Sequence, residues 1–171
     1  MKYNEELNKQ FVNSLISKYE LNSLEGCFYE LQSIYIEEGG KVEFTCDSSI
    51  INLDCIEELV SIKENRYLKR TMDISFIITE NSINSMVFAD FKLRKKGESN
   101  FKGDFSKIEK KIDHSSIFYS KDYKPYKNKY IIYKKEVVPV AESKINRALL
   151  NRRHSLIAID IMSFHSLFFN A

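Results

Sequence analysis

The chain is poor in the residues that cross-link or interrupt a small protein: 171 residues include three cysteines, two prolines and five glycines. Cys27, Cys46 and Cys55 form no C-x-x-C pair and have no histidine close in sequence, which argues against a zinc site. An odd number of cysteines, with no apolar leader after the lysine of "MKYNEELNKQ", leads us to expect buried thiols in a reducing cytoplasm. No run approaches the ~18 apolar residues of a membrane-spanning helix, so no membrane partner is expected. Repeats, low-complexity tracts and Pro- or Gly-rich linkers are absent, so residues 1–171 read as one domain. His114, His154 and His165 fall at no metal-binding or triad spacing, and no G-x-S-x-G turn supports a serine nucleophile. "EEGGK" lacks the spacing of a phosphate loop and reads as a tight turn.

What is present is a 43% apolar chain with ample length for a core and a polarised charge. Residues 1–60 hold 4 lysines against 12 acids, whereas residues 61–171 hold 22 Lys/Arg against 12 acids. A basic two-thirds fits a polyanion such as nucleic acid, and an acidic first third can face a protein partner.

Periodicity divides the chain into alternating elements. Leu7, Phe11, Val12, Leu15, Ile16 and Tyr19 recur at helical spacing behind Asn4 as N-cap, predicting a helix over 5–20. "CFYELQSIYIEEGGKVEFTC" reads as a hairpin about Gly39-Gly40, with Val42, Phe44 and Cys46 on one face. "NLDCIEELVSIKEN" returns to helical spacing. Strands are expected over about 70–79 and 84–94, then a basic loop "RKKGESNFKGD" and a helix over about 105–119. "KYIIYKKEVV" reads as a strand closed by Pro139, "AESKINRALLNRR" as a helix, and "HSLIAIDIMSF" as either. The fold class is therefore α/β or α+β, a mixed central sheet flanked by helices.

Asn81-Ser82 can close a two-residue turn, which pairs Glu80 with Ile83 and all residues whose numbers sum to 163. Met72, Ile74, Phe76 and Ile78 then lie opposite Phe91, Ala89, Val87 and Ser85 as one apolar face. On the other face Asp73 opposes Asp90, with Lys92 two residues on. Like charges facing across strands, with Cβ atoms ~5 Å apart, destabilise a sheet. A Mg²⁺ or Mn²⁺ ion would offset that cost, since hard cations take one or two carboxylates plus water and phosphate oxygens. Lys92 could then orient water or stabilise developing charge. The acid-x-Lys spacing itself carries little: it occurs four times, at 90/92, 109/111, 122/124 and 142/144, against about three expected by chance at this composition. Only the first lies in an apolar strand with a second acid opposite.

An Asp on one strand and [Asp/Glu]-x-Lys on the next, followed by a helix and a strand, resembles the PD-(D/E)XK nuclease superfamily. The resemblance spans roughly residues 52–137; the helix-hairpin 1–48 and the extension 138–171 lie outside it. It implies a restriction-endonuclease-like core, Mg²⁺ held by Asp73 and Asp90, and Lys92 assisting attack of water on a phosphodiester, with DNA the expected substrate. Met72 stands where many members have proline, and Asp90 where glutamate is more frequent. Members often add a helical glutamate, for which Glu57, Glu58 and Glu64 are the candidates.

Lys107, Lys110, Lys111 and His114 could line one side of helix 105–119. "KDYKPYKNKYIIYKK" interleaves six lysines, Lys124 and Lys127 among them, with four tyrosines, a pattern suited to phosphates and stacked bases. Arg147, Arg152 and Arg153 could extend it. Three readings stay open at this level: a metal-dependent nuclease, which as a small domain could act as a homodimer; a nuclease-like fold kept as an immunity or assembly module; and a nucleic-acid-binding protein without metal.

Overall fold

A computed structural model describes residues 2–41, 44–94, 101–118, 122–148 and 154–170. Val42, residues 95–100 of the basic loop, Tyr119, Arg152 and Arg153 lie outside these. The described chain is a mixed α/β protein in which one eight-stranded sheet is covered on both faces by helices.

Strand β1 (Lys2–Tyr3) leads into α1 (Glu5–Tyr19), whose N-cap Asn4 accepts a 3.0 Å bond from the Leu7 amide. Phe11 and Leu15 bury the apolar stripe of α1 against the sheet. Asn8, fully buried in the same stripe, takes the Ile77 amide at 2.8 Å and donates to the Ile77 carbonyl at 3.1 Å. A buried amide side chain thereby satisfies a stretch of sheet edge that has no strand beside it.

The expected hairpin at 27–46 is replaced by β2 (Phe28–Glu30) and a short helix α2 (Leu31–Glu37). Leu31, Ile34 and Tyr35 stand at i, i+3 and i+4 and are all buried, so the helical period prevails over the strand-like composition. Gly39-Gly40 ends α2 rather than turning a hairpin. Gly39 has φ +94°, its amide bonds the Ile36 carbonyl and that of Gly40 bonds Tyr35, each at 2.9 Å. A side chain at Gly40 would meet the Tyr35 ring at 2.3 Å.

Strand β3 (Ser49–Asn52), unanticipated from sequence, pairs antiparallel with β2 and with β4 (Ile74–Glu80) and runs straight into α3 (Leu53–Lys63). Asn52 caps α3 by accepting from the Cys55 amide at 3.0 Å. Cys27 and Cys55 form a disulfide, so of the three expected thiols only buried Cys46 is free. Closing a loop of sequence separation 28 stabilises a domain by roughly 3–4 kcal/mol in the chain-entropy relation. Cys55→Ser is therefore expected to lower the unfolding free energy by about that amount; a loss below ~1 kcal/mol in urea titration would show that the bond contributes nothing.

The hairpin of β4 and β5 (Ile83–Phe91) has the expected register in all seven pairs, from Ile74↔Ala89 to Glu80↔Ile83. Asn81 and Ser82 both have positive φ, 49° and 62°, the conformation whose twist suits a two-residue hairpin. Two details differ from expectation. The second face is also buried, with Ile77, Met86 and Phe88 packed beneath helices. Met72 packs on that face rather than beside Ile74, because regular pairing starts only at Ile74. Strands covered on both sides read as continuous apolar runs.

Helix α4 (Phe101–Ser115) crosses from β5 to β7 (Asn128–Tyr133), which pairs parallel to β5; the two-residue β6 (Lys124–Pro125) pairs beside Ser85 and Met86. Pro139 begins a helix instead of merely closing a strand. It lies in the first turn of α5 (Val138–Ala148), where its missing amide hydrogen has no cost. The ambiguous C-terminal stretch is both elements in succession: β8 (Ser155–Asp160), parallel to β7, then α6 (Ile161–Phe168). Residues 138–168 thus extend the same sheet. The order β2-β3-β4-β5-β7-β8 leaves α1, α3, α4 and α5 on one face and α2 and α6 on the other. Among the described residues, no helix is long and apolar enough to cross a membrane.

Candidate functional site

Asp73 sits immediately before β4, and Asp90 is the penultimate residue of β5. The observed register ends one pair short of them, at Ile74↔Ala89, and their side chains converge beneath α4. Asp90 is fully buried, and Asp73 is nearly so. Both carboxylates meet one ammonium, that of Lys111 from the third turn of α4. Lys111 Nζ donates to Asp73 Oδ1 at 2.7 Å and to Asp90 Oδ1 over a still shorter distance. The two oxygens therefore lie no more than twice 2.7 Å, or 5.4 Å, apart. Asp73 Oδ2 also accepts from the Phe91 amide at 2.6 Å. Lys92 closes the cluster by donating to Asp90 Oδ2 and, at 3.1 Å, to the Phe91 carbonyl.

Two carboxylates and two ammonium groups balance in formal charge, but their environments separate the acids. Burial and the neighbouring Asp90 charge push Asp73 up to about 7, against the opposing pull of Lys111 and Lys92. Burial also works against ionisation of Asp90, yet Lys92 and Lys111 outweigh it and hold that carboxyl below the ordinary range. Burial works against the Lys111 ammonium as well, and the two carboxylates overcome it, raising its pKa. The same surroundings thus favour the ionised form of Asp90 and oppose that of Asp73.

Lys111 was expected on the exposed basic side of α4; it is instead the counter-ion of the carboxylate pair. The repulsion that seemed to require a metal is already offset within the chain. Its placement follows from a position bordering the stripe of Phe105, Ile108 and Ile112, where a long stem can run along apolar surface to a buried charge. Sequence held one cue: 111 directly precedes a buried isoleucine. Lys107, one turn before Lys111, and Lys110, the adjacent residue about 100° round the helix, are exposed.

The helical glutamates do not join the cluster. Glu57 is fully buried in a two-pronged pair with Arg66, one bond of which is 2.9 Å, and it accepts from the Lys69 amide at 2.8 Å. Burial resists its ionisation, but Arg66 and the Lys69 amide prevail and lower its pKa. Glu64 shares the same guanidinium at 2.5 Å, and Glu58 is exposed. Asp54, at the start of α3, is the acid that holds the segment before Asp73: Thr71 Oγ1 donates to it at 2.5 Å.

Lys124 and Lys127 are exposed but stand at the far end of the sheet. Lys124 pairs with Ser85, five residues along β5 from Asp90, or roughly 17 Å at strand spacing. Tyr123, Tyr130 and Tyr133 are buried, so they anchor the β7 region in the core instead of offering faces for stacking bases. Lys124 and Lys127 therefore do not share a surface with the carboxylate cluster.

Among the described residues, no group of three or more His, Cys, Asp or Glu side chains is gathered to hold a metal. Asp73 and Asp90 nonetheless suit a hard divalent cation that draws its remaining ligands from water and phosphate oxygens. Their oxygens already share one positively charged partner. Comparison with protein-family models, curated proteins and solved structures finds no significant match to this chain.

Proposed function

We propose that the protein is a metal-dependent nuclease of the PD-(D/E)XK type, hydrolysing phosphodiester bonds in DNA. The observation that carries this reading is the convergence of Asp73, Asp90 and Lys92 at the carboxyl end of β5 around one cationic position. Mg²⁺ or Mn²⁺ would be held by Asp73 and Asp90 and would supply Lewis acidity toward a phosphate oxygen and a water of lowered pKa. Lys111, which now holds both carboxylates, would have to leave that position for a cation to be held there. Lys92 stays bonded to Asp90 and presents its ammonium to the anionic group being attacked. A domain of this size fits catalysis as a homodimer, one copy per strand, with the acidic first third turned toward any protein partner.

The test is cleavage of single-stranded, duplex and branched DNA, and of RNA, with Mg²⁺ or Mn²⁺. Lys92→Ala is expected to slow the reaction on the order of 10²- to 10³-fold. Equal rates for wild type and variant would overturn the assignment of Lys92. One observation favours a second reading: Lys111 and Lys92 together neutralise the carboxylates from within the chain, as in a nuclease-like fold retained as a binding module. Absence of cleavage on every substrate, with no effect of divalent ions on melting, would select it.

A further inference from the structure

In open sheets with parallel strands, ligands collect outside the carboxyl ends of those strands. Here β5, β7 and β8 run parallel and end together. Phe91 pairs with Ile132 and Tyr133 with Asp160, so Lys92, Tyr133 and Asp160 form one row across that edge. The Lys92 amide bonds the Ile132 carbonyl at 2.8 Å, which locks the row together. Two clefts open along it. One, about 250 Å³, includes Lys92 and Arg94; the other, about 240 Å³, includes Lys41, Lys134 and Lys135. The Gly39-Gly40 turn that ends α2 stands between them, and a side chain at Gly39 would lie 3.7 Å from Arg94. Gly40 is backed by the Tyr35 ring, so Gly39 is where the turn presents bare backbone at the boundary.

Charge along this edge favours an anion. Arg94, Lys41 and Lys135 are exposed and Lys134 half-buried, and among the described residues none of the four is in an ion pair. Three acids, Glu38, Glu136 and Asp160, share the clefts. Asp160 caps α6, accepting from the Met162 and Ser163 amides at 3.0 and 3.1 Å and from Ser163 Oγ at 2.7 Å. Capping turns its oxygens to the helix end but leaves its charge, so the four cations outnumber the acids by one. We infer that the edge from Lys92 to Lys135 is the track of a nucleic-acid strand, with Arg94, Lys41, Lys134 and Lys135 contacting successive backbone phosphates. This rests on the nuclease reading and locates its substrate on the opposite end of the sheet from Lys124 and Lys127. Neighbouring strands lie ~4.8 Å apart, so the row from β5 to β8 spans about 10 Å, comparable to roughly three nucleotides at 3.4 Å of rise each.

Binding of fluorescein-labelled DNA and RNA oligonucleotides, single-stranded and duplex, in EDTA isolates the track from catalysis. For the combined variant Lys41→Ala, Lys134→Ala, Lys135→Ala, affinity at low salt should fall at least tenfold. The slope of log affinity against log salt should become shallower by about 2, since each phosphate contact contributes ~0.7–0.9. Lys134→Glu alone should weaken binding more than Lys134→Ala, and thermal melting of each variant should match wild type. The pair Lys124→Ala, Lys127→Ala should change affinity by less than twofold. Larger losses from that pair than from the triple variant would overturn the track, as would wild-type affinity in the triple variant or no binding by the wild type. Binding that follows this pattern without cleavage under any metal would leave the track standing and remove the nuclease assignment.

Discussion

Asp90→Asn is expected to lower Mg²⁺-dependent cleavage on the order of 10³-fold while oligonucleotide binding in EDTA is retained. Asp90 is the hub of the cluster: fully buried, it accepts from both Lys92 and Lys111. Asparagine keeps the shape and one acceptor oxygen but replaces the other with an amide that faces an ammonium. The cation would lose one of its two protein carboxylates, and with it much of the charge stabilisation that the reaction draws on. Lys92 would lose the partner that aims it. The substitution also leaves buried positive charge less well paired, so a stability loss of up to about 3–5 kcal/mol accompanies it. Melting curves and circular dichroism separate that loss from the loss of chemistry. A folded variant that cleaves like wild type would remove Asp90 from the site.

Lys111→Met should produce the second large effect, in a direction that depends on metal. Methionine fills the path of the lysine stem without the charge, leaving two buried carboxylates facing each other with only Lys92 to answer them. In a chelator the variant should be destabilised by about 3 kcal/mol, which for a domain of this size lowers Tm by roughly 6–12 °C. Added Mn²⁺ should restore most of that, because a ligand at 100 times its Kd contributes about 2.7 kcal/mol to the folded state. Wild type, in which the ammonium competes for the same oxygens, should bind Mn²⁺ at least tenfold more weakly by calorimetry. Lys111→Arg should resemble wild type in the chelator. If Mn²⁺ leaves the melting of Lys111→Met unchanged, Asp73 and Asp90 do not form a cation site, and the binding-module reading takes precedence.

Legibility of the fold varied with how local the deciding interactions are. The β4–β5 register could be read because a two-residue turn and a period-2 apolar pattern agree, and a one-residue slip would have exposed the core. Helix α1 was readable from Asn4 and the spacing of Phe11 and Leu15. By contrast, α2 was hidden by the aromatic and β-branched content of "FYELQSIYIE", and Gly39-Gly40 serves a helix end as readily as a hairpin. Strand β3 is four residues long and abuts α3 with no loop, so no turn marks its end.

The candidate site divides in the same way. Local sequence placed Asp73, Asp90 and Lys92 on one side of the hairpin, since strand alternation and register require nothing from the rest of the chain. That Lys111 is their partner depends on how α4 crosses from β5 to β7, a packing decision 21 residues downstream of Asp90. The removal of Glu57 from consideration depends likewise on Arg66 closing over it from the loop beyond α3. Tertiary structure alone also sent Lys124 and Lys127 to one end of the sheet and Lys134 and Lys135 to the other. Strand direction decides this, because lysines on either side of a buried six-residue strand emerge at opposite ends. Alternation and turn chemistry are properties of a few neighbouring residues and survive in the sequence. Charge pairing between distant elements is set by the packing of the whole chain, and it determined which of the basic residues meets the carboxylates.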